Sequence, residues 1–196
     1  MTTHPDDWNR FYEDEQRPAW DMDRATPLVE ELLALAFPLG LHPGCELVVP
    51  GCGFGHDACA LSALGFTVTG LDFAPLAIQG ARERYGDRLV WAQADWFTTP
   101  LGPWDALFDH TCFAAMDPSR RPAYVNACAD RLKPGGFWMA VLFHDVNERP
   151  GPPYAIQPEK MRSLVEACFE TLHLGMASRS HPRRAGREFL LVARRR

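Results

Sequence analysis

Strand-like and helix-like segments alternate along the chain from residue 46 onwards, and this alternation limits the possible folds more than any other feature of the sequence. Short apolar runs such as 46–49 and 66–71 are each followed by a segment whose apolar residues recur at helical spacing. Parallel strands need a crossover connection, which is usually a helix. The pattern therefore predicts an α/β fold with a doubly wound, mostly parallel sheet, which binds ligands at the carboxyl ends of its strands.

The expected elements form a seven-stranded sheet. Thr26 is expected to cap the second helix, with Pro27 at its first position. Because no repeat, low-complexity tract or linker interrupts the chain, we expect residues 1–196 to form one domain, with an N-terminal helical lid and helix in 1–40 and the sheet core in 45–196. The predicted strands are 46–49, 66–71, 89–94, 104–108, 137–143, 172–177 and 187–193, and the predicted helices are 6–15, 27–40, 57–64, 75–85, 121–132 and 159–169.

The composition is that of a globular protein, with 46% hydrophobic and 23% charged residues. No apolar run is long enough to span a bilayer, and the polar N-terminus lacks the core of a signal peptide. We therefore expect a cytoplasmic protein without a membrane partner. The six cysteines include no C-x-x-C pair, so we expect neither a disulfide framework nor a metal site.

Arginines are concentrated near the C-terminus, at positions 179, 183, 184, 187 and 194–196. Such a cluster can mark a nucleic-acid surface. The chain as a whole has a formal net charge of −5, however, and the last predicted strand runs through the cluster. We therefore interpret the arginines as a solvated strand edge and expect no nucleic-acid partner. The sequence gives no signal for the oligomeric state.

The loop after the first predicted strand has the sequence V-V-P-G-C-G-F-G, with glycines at 51, 53 and 55. Glycine permits positive φ and lets a ligand lie against the backbone, although a tight strand-to-helix turn would also explain the loop. Asp72 ends the second strand, where a carboxylate can accept hydrogen bonds from both ribose hydroxyls of a nucleoside. Asp95, beside Trp96 at the end of the third strand, is a candidate acceptor for an adenine amino group. These positions predict an adenosine site.

The glycine spacing helps to separate two adenosine cofactors. Dinucleotide sites prefer G-x-G-x-x-G, whereas this loop reads G-x-G-x-G and is followed by Asp57 at the start of a helix. A carboxylate there would repel a pyrophosphate but not a sulfonium or an amino acid. S-adenosylmethionine therefore fits better, and an NAD-dependent dehydrogenase is the alternative of a different enzyme class.

The sequence contains five motifs that together indicate a family resemblance: V-P-G-C-G-F-G-H-D at 49–57, G-L-D at 70–72, F-D-H-T-C-F at 108–113, L-K-P-G-G at 132–136 and G-P-P-Y at 151–154. With them, the sequence resembles class I S-adenosylmethionine-dependent methyltransferases. Within that class it resembles the thiopurine methyltransferase superfamily, and most of all its plant-type thiol and halide (thiocyanate) methyltransferases. The resemblance covers nearly the whole chain.

The resemblance implies a set of site residues. Cofactor-binding roles fall on Trp8, Tyr12, Trp20, Gly51, Gly53, Asp72, Asp95, Trp96 and His110, and catalytic roles on His110 and Tyr154. The aromatic residues would close over the cofactor. Plainer alternatives are core packing for Trp8 and Trp20, a neutral strand-end histidine bonded to backbone for His110, and a loop anchor for Tyr154.

The implied reaction is in-line transfer of a methyl group from S-adenosylmethionine to a small soft nucleophile: a thiol, hydrosulfide, thiocyanate or halide. His110, His144 or Tyr154 would favour the thiolate of a thiol acceptor. A thiopurine-type S-methyltransferase and a non-catalytic S-adenosylmethionine-binding module are the alternatives within this interpretation. The only expected partner is a small-molecule nucleophile.

Overall fold

The computed structural model describes residues 5–13, 18–146 and 151–196. Its centre is one seven-stranded sheet in the order β3-β2-β1-β4-β5-β7-β6, in which only β7 runs antiparallel to its neighbours. The predicted fold class, with a mostly parallel sheet, is confirmed. The strands are β1 Glu46–Pro50, β2 Thr67–Asp72, β3 Val90–Gln93, β4 Trp104–His110, β5 Leu132–Phe143, β6 Phe169–Met176 and β7 Glu188–Arg195.

Helices cover both faces of this sheet. The side chains of one face of the strands pack with α2, α3 and α4, and those of the other face pack with α5, α6 and α7. Among the described residues, no helix is long and apolar enough to cross a membrane. The helices are α1 Pro5–Glu13, α2 Leu28–Ala36, α3 His56–Ala63, α4 Pro75–Tyr85, α5 Cys112–Ala115, α6 Arg121–Arg131 and α7 Pro158–Val165.

The ends of α2 follow local sequence signals. The Leu28 N–H donates to Thr26 Oγ1 at 3.3 Å, as expected for a capping threonine, although the helix begins at Leu28 rather than Pro27. After a short 3₁₀ turn over Phe37–Leu39, Gly40 ends the segment with a φ of 111°, which favours glycine.

Three elements differ from the prediction. β5 begins at Leu132, because Leu132 pairs with Trp104 and Phe137 with Ala106, so the Pro-Gly-Gly segment forms a bulge inside the strand. Phe169, predicted as a helix end, instead opens β6 and packs against Trp138 with ring centroids 5.3 Å apart. The short helix α5 had no sequence signal. The predicted helical positions 14 and 15 lie outside the described residues, as does 147–150 of the predicted loop.

Asp109 is an ionisable residue placed inside the core, with no exposed surface. Its Oδ2 accepts from the Tyr124 hydroxyl at 2.9 Å and its Oδ1 from the Phe113 N–H at 3.2 Å, which ties β4 to α5 and α6. Desolvation raises the pKa of Asp109 to about 6 despite these hydrogen bonds, which act in the opposite direction.

This burial predicts a pH-dependent stability term that Asp109→Asn removes. The unfolded carboxyl ionises at its ordinary pKa of 3.8 and the folded one at about 6, so the folded state binds more protons between these values. Wild-type stability therefore falls as pH rises through this window. Relative to wild type, Asp109→Asn should gain about 2 kcal/mol in free energy of unfolding between pH 4 and 7, measured by urea unfolding.

Asp105→Asn on the same strand is the matched control with opposite sign. Desolvation alone would raise the pKa of Asp105, but hydrogen bonds from Lys133 and the Glu46 N–H lower it. That variant should therefore lose stability relative to wild type as pH rises. A difference between Asp109→Asn and wild type that does not change with pH would contradict the buried ionisation.

Candidate functional site

The carboxyl ends of the parallel strands border a cavity of 850 Å³. Each strand from β1 to β5 contributes wall residues at or just beyond its end: Val49, Gly51 and Gly53; Leu71 and Asp72; Ala94 and Asp95; His110 and Thr111; and Phe143. Helix α1, residues 19–27 and the loop before β7 close the remaining sides. The cavity lies where the predicted topology places a ligand.

The glycine loop lies at the end of β1. Gly51 and Gly53 have φ values of +60° and +53°, conformations that favour glycine. A Cβ on Gly51 would lie 2.9 Å from Cys112 Sγ, and one on Gly53 would lie 3.4 Å from the Tyr12 hydroxyl. Gly51 therefore needs to be glycine both for its backbone conformation and for the close approach of Cys112, whereas Gly53 needs to be glycine for its backbone conformation.

Asp72 joins this loop to the end of β2. Its Oδ2 accepts from the Gly53 N–H at 3.0 Å and its Oδ1 from the Ala74 N–H at 2.9 Å. Burial raises the pKa of Asp72 above its ordinary value, although these hydrogen bonds act in the opposite direction. None of the ion pairs among the described residues involves Asp72. Each carboxylate oxygen can accept a second hydrogen bond, which suits a pair of ligand hydroxyls.

Asp95 and Trp96 follow β3, where the sequence predicted an adenine-binding position. Asp95 Oδ1 accepts from the Phe97 N–H at 2.8 Å, and both residues line the cavity. Trp96 is 5% exposed and stacks on Trp104 with ring centroids 6.3 Å apart. Its ring therefore belongs both to the core and to the cavity wall.

The predicted aromatic residues of the N-terminal region also line the cavity. Trp20 contacts Trp8 and Tyr12, with ring centroids 5.6 and 6.0 Å apart. Tyr12 in turn packs against Phe54 of the glycine loop at 5.1 Å. The aromatic cluster thus forms one side of the cavity, next to the loop between β1 and α3.

His110 lies in the cavity wall with both ring nitrogens engaged by side chains. Nδ1 lies 2.6 Å from Asp57 Oδ2, and Nε2 lies 2.8 Å from Arg184 Nη1. This arrangement differs both from a free catalytic ring and from the alternative of a histidine bonded to backbone. Burial alone would raise the pKa of Asp57, but its contact with His110 and the hydrogen bond from the Thr26 N–H lower it.

Tyr154, the second predicted catalytic residue, lies outside the lining of the cavity. Its N–H donates to the Ala114 carbonyl at 2.7 Å, and its own carbonyl accepts from Arg121 Nη2 at 2.9 Å. Tyr154 is thus absent from the cavity wall that contains His110, and its backbone has the position of a loop anchor. The neighbouring Pro152 and Pro153 reach the cavity instead.

Sequence reasoning missed the arginines of the cavity. The cavity lining includes Arg183, Arg184 and Arg187, which the sequence pattern predicts as part of a solvated edge. We call these three arginines and His110, which also lines the cavity, the basic wall. Arg184 is 7% exposed and donates to the Trp20 carbonyl at 2.9 Å. A topological signal was available: β7 is antiparallel to β5, so the loop before it returns to the ligand-binding edge.

Comparison with known proteins agrees with this geometry. The model of the family "Thiopurine S-methyltransferase (TPMT)" matches residues 3–191. "Thiocyanate methyltransferase 1" of Arabidopsis thaliana is 32% identical over 191 residues, which cover 93% of this chain and 82% of that protein. A "Thiopurine S-methyltransferase" of Legionella pneumophila (strain Paris) is 26% identical over 181 residues, covering 82% and 80%.

Solved structures share the fold. The 1,6-didemethyltoxoflavin-N1-methyltransferase of Burkholderia thailandensis, crystallised with S-adenosylhomocysteine, aligns with a TM-score of 0.74 at 19% identity, over 97% of this chain and 86% of that one. The N-methyltransferase NodS of Bradyrhizobium japonicum WM9 aligns with a TM-score of 0.73 at 18% identity, over 97% and 96%. With the match along nearly its whole length, the chain belongs to the thiopurine S-methyltransferase family and is an S-adenosylmethionine-dependent methyltransferase.

Proposed function

We propose that this enzyme transfers the methyl group of S-adenosylmethionine to a small soft nucleophile: thiocyanate, hydrosulfide, a halide or a small thiol in its thiolate form. The observation that carries the proposal is the division of charge within one cavity. Asp72 and Asp95 lie at the ends of β2 and β3, whereas the basic wall lies beyond β4 and before β7. A cationic methyl donor and an anionic acceptor would each meet side chains of opposite charge.

The donor end fits the adenosine and methionine parts of the cofactor. In this proposal Asp72 binds the ribose hydroxyls, Asp95 and Trp96 contact the adenine, and the backbone of Gly51 and Gly53 lies against the methionine part. Trp8, Tyr12 and Trp20 cover it, and their ring faces can stabilise a cation. The cofactor supplies a methyl group already activated by its sulfonium charge. The remaining task of the protein is to align the two reactants and exclude water.

The acceptor end suits soft anions. Phe143 and the basic wall combine an apolar surface with positive charge, which lowers the cost of desolvating an anion. The relative named thiocyanate methyltransferase supports this choice of acceptor. We place the reaction in the cytoplasm, since all six cysteines are free thiols, and attribute it to residues 1–196 acting as one domain with a small-molecule partner.

A panel of acceptors tests the proposal directly. Purified protein with S-adenosylmethionine should methylate thiocyanate, iodide, hydrosulfide and small thiols faster than a thiopurine, with S-adenosylhomocysteine release as the common readout. A soft anion needs no proton removed, whereas a thiopurine is larger and less charged. Higher kcat/KM with the thiopurine would select the thiopurine alternative. Cofactor binding with no turnover of any acceptor would select the non-catalytic module.

Asp72→Asn tests the ribose contact. Loss of a charged acceptor weakens each hydrogen bond, so we expect the Kd for S-adenosylhomocysteine to rise by about tenfold or more in calorimetry. Asp87→Asn is the matched control, because that carboxylate pairs with Arg82 on the surface. Circular dichroism should show that both variants are folded. An unchanged Kd for Asp72→Asn would show that Asp72 does not bind the cofactor.

Gly53→Ala tests the close approach of ligand and backbone. Positive φ costs an alanine about 1–2 kcal/mol, so the variant should be less stable than wild type. Gly135→Ala isolates that cost, because Gly135 also has positive φ, at +78°, but a Cβ there would meet nothing within 4 Å. Both variants should unfold at lower temperature, and only Gly53→Ala should bind S-adenosylhomocysteine more weakly. Equal affinities would show that the cofactor does not lie against Gly53.

A further inference from the structure

Four side chains form a continuous line of contacts along the cavity wall. Asp57 Oδ1 accepts from the Thr26 N–H at 2.7 Å, and its Oδ2 lies 2.6 Å from His110 Nδ1. His110 Nε2 lies 2.8 Å from Arg184 Nη1, which also lies 3.3 Å from Glu188 Oε1. The side chains of His110 and Asp57 are each 14% exposed, and those of Arg184 and Glu188 are 8% and 1% exposed. Bulk water therefore has little access to these contacts.

The contacts determine which ring nitrogen carries the proton. A guanidinium has N–H donors and no acceptor, so Nε2 of His110 must accept and is unprotonated. Nδ1 lies 2.6 Å from the Asp57 carboxylate, which accepts hydrogen bonds, so Nδ1 is the nitrogen that donates. A doubly protonated ring would place the Nε2–H donor of His110 against the N–H donor of Arg184 Nη1 at a distance of 2.8 Å, which is unfavourable.

We propose that Arg184 is a positioning residue that holds His110 in the neutral tautomer with the proton on Nδ1. Its guanidinium occupies the Nε2 lone pair, so the ring presents no free base to the methyl acceptor. His110 therefore does not take the proton of a thiol acceptor, and in this proposal such acceptors enter as thiolates. The tautomer follows from the contacts alone, whereas the statement about acceptors rests on the proposed function.

The charged surroundings of His110 agree with this assignment. Asp57 approaches from α3, Asp109 is its neighbour on β4, and Arg184 and Glu188 approach from the loop and first residue of β7. Glu188 Oε1 accepts from the same Arg184 Nη1 that faces His110 Nε2, which helps to keep the guanidinium in place. His56, beside Asp57 on α3, is directed elsewhere, towards Asp21 at 3.0 Å and Tyr85 at 2.6 Å.

Nitrogen NMR of the full chain measures the tautomer without cofactor or turnover. In protein labelled with ¹⁵N-histidine at pH 7.5, two-bond correlations distinguish a protonated from an unprotonated ring nitrogen, and His110→Gln identifies the signals. We expect Nδ1 protonated and Nε2 unprotonated. A proton on Nε2, alone or together with Nδ1, would overturn the proposal in the wild-type protein itself.

Two substitutions at Arg184 separate positioning from packing. Arg184→Met keeps much of the apolar stem but removes the donor, so the single-tautomer pattern should be lost. Arg184→Lys restores a donor and should recover it. If Arg184→Met unfolds, the wild-type spectrum still tests the tautomer, because a proton on Nε2 would contradict it. A folded Arg184→Met protein with the wild-type pattern would show that Asp57 alone sets the tautomer.

Kinetics test the consequence for acceptors. With wild-type enzyme, kcat/KM for a thiol should rise about tenfold per pH unit below the pKa of that thiol, while the value for thiocyanate stays level over the same range. A pH profile of kcat/KM that does not follow the ionisation of the thiol would overturn the inference that thiol acceptors enter as thiolates. Absence of turnover with every acceptor would instead contradict the proposed function, and the tautomer would remain measurable.

Discussion

The site depends on burying carboxylates at the carboxyl edge of the sheet without leaving them unsatisfied. Taking a charged group out of water is costly unless hydrogen bonds or opposite charges replace the lost hydration. Asp72 is satisfied by backbone N–H groups, Asp57 by a backbone N–H and His110, and Asp109 by Tyr124 and the Phe113 N–H. Each solution connects two or more elements, so the same contacts that make the carboxylates tolerable also fix the shape of the cavity.

The different hydrogen-bond partners of these three carboxyl groups shift their pKa values differently. Asp57 has a histidine partner and a lowered pKa, whereas Asp109 has neutral donors and a pKa raised to about 6. Burial also raises the pKa of Asp72, while hydrogen bonds from backbone N–H groups act in the opposite direction. Its remaining acceptor capacity faces a cavity rather than the core. A hydroxyl-bearing ligand can therefore complete the hydrogen bonding of Asp72 in a way that it cannot for Asp109.

Sequence reasoning recovered what is local and missed what depends on distant contacts. The succession of strands and helices, the glycine loop and the position of Asp72 follow from short patterns, since each is set by neighbouring residues and by the convergence of parallel strands. The contact between His110 and Arg184 spans 74 positions and leaves no periodic signal. The apolar character of Phe169 fits either element, and its pairing with Arg195 of β7 together with its packing against Trp138 places it in the strand.

The N-terminal part of the cavity is held by hydrogen bonds from arginines of the basic wall. Arg184 Nη2 donates to the Trp20 carbonyl and Arg183 Nη2 to the Ala19 carbonyl, at 2.9 and 3.3 Å. Asp57 accepts from the Thr26 N–H. Trp20 in turn packs against Trp8 and Tyr12. The aromatic side of the cavity and the basic wall are therefore one connected structure, so a change in the contacts of Arg184 reaches the aromatic side through Trp20 as directly as it reaches His110.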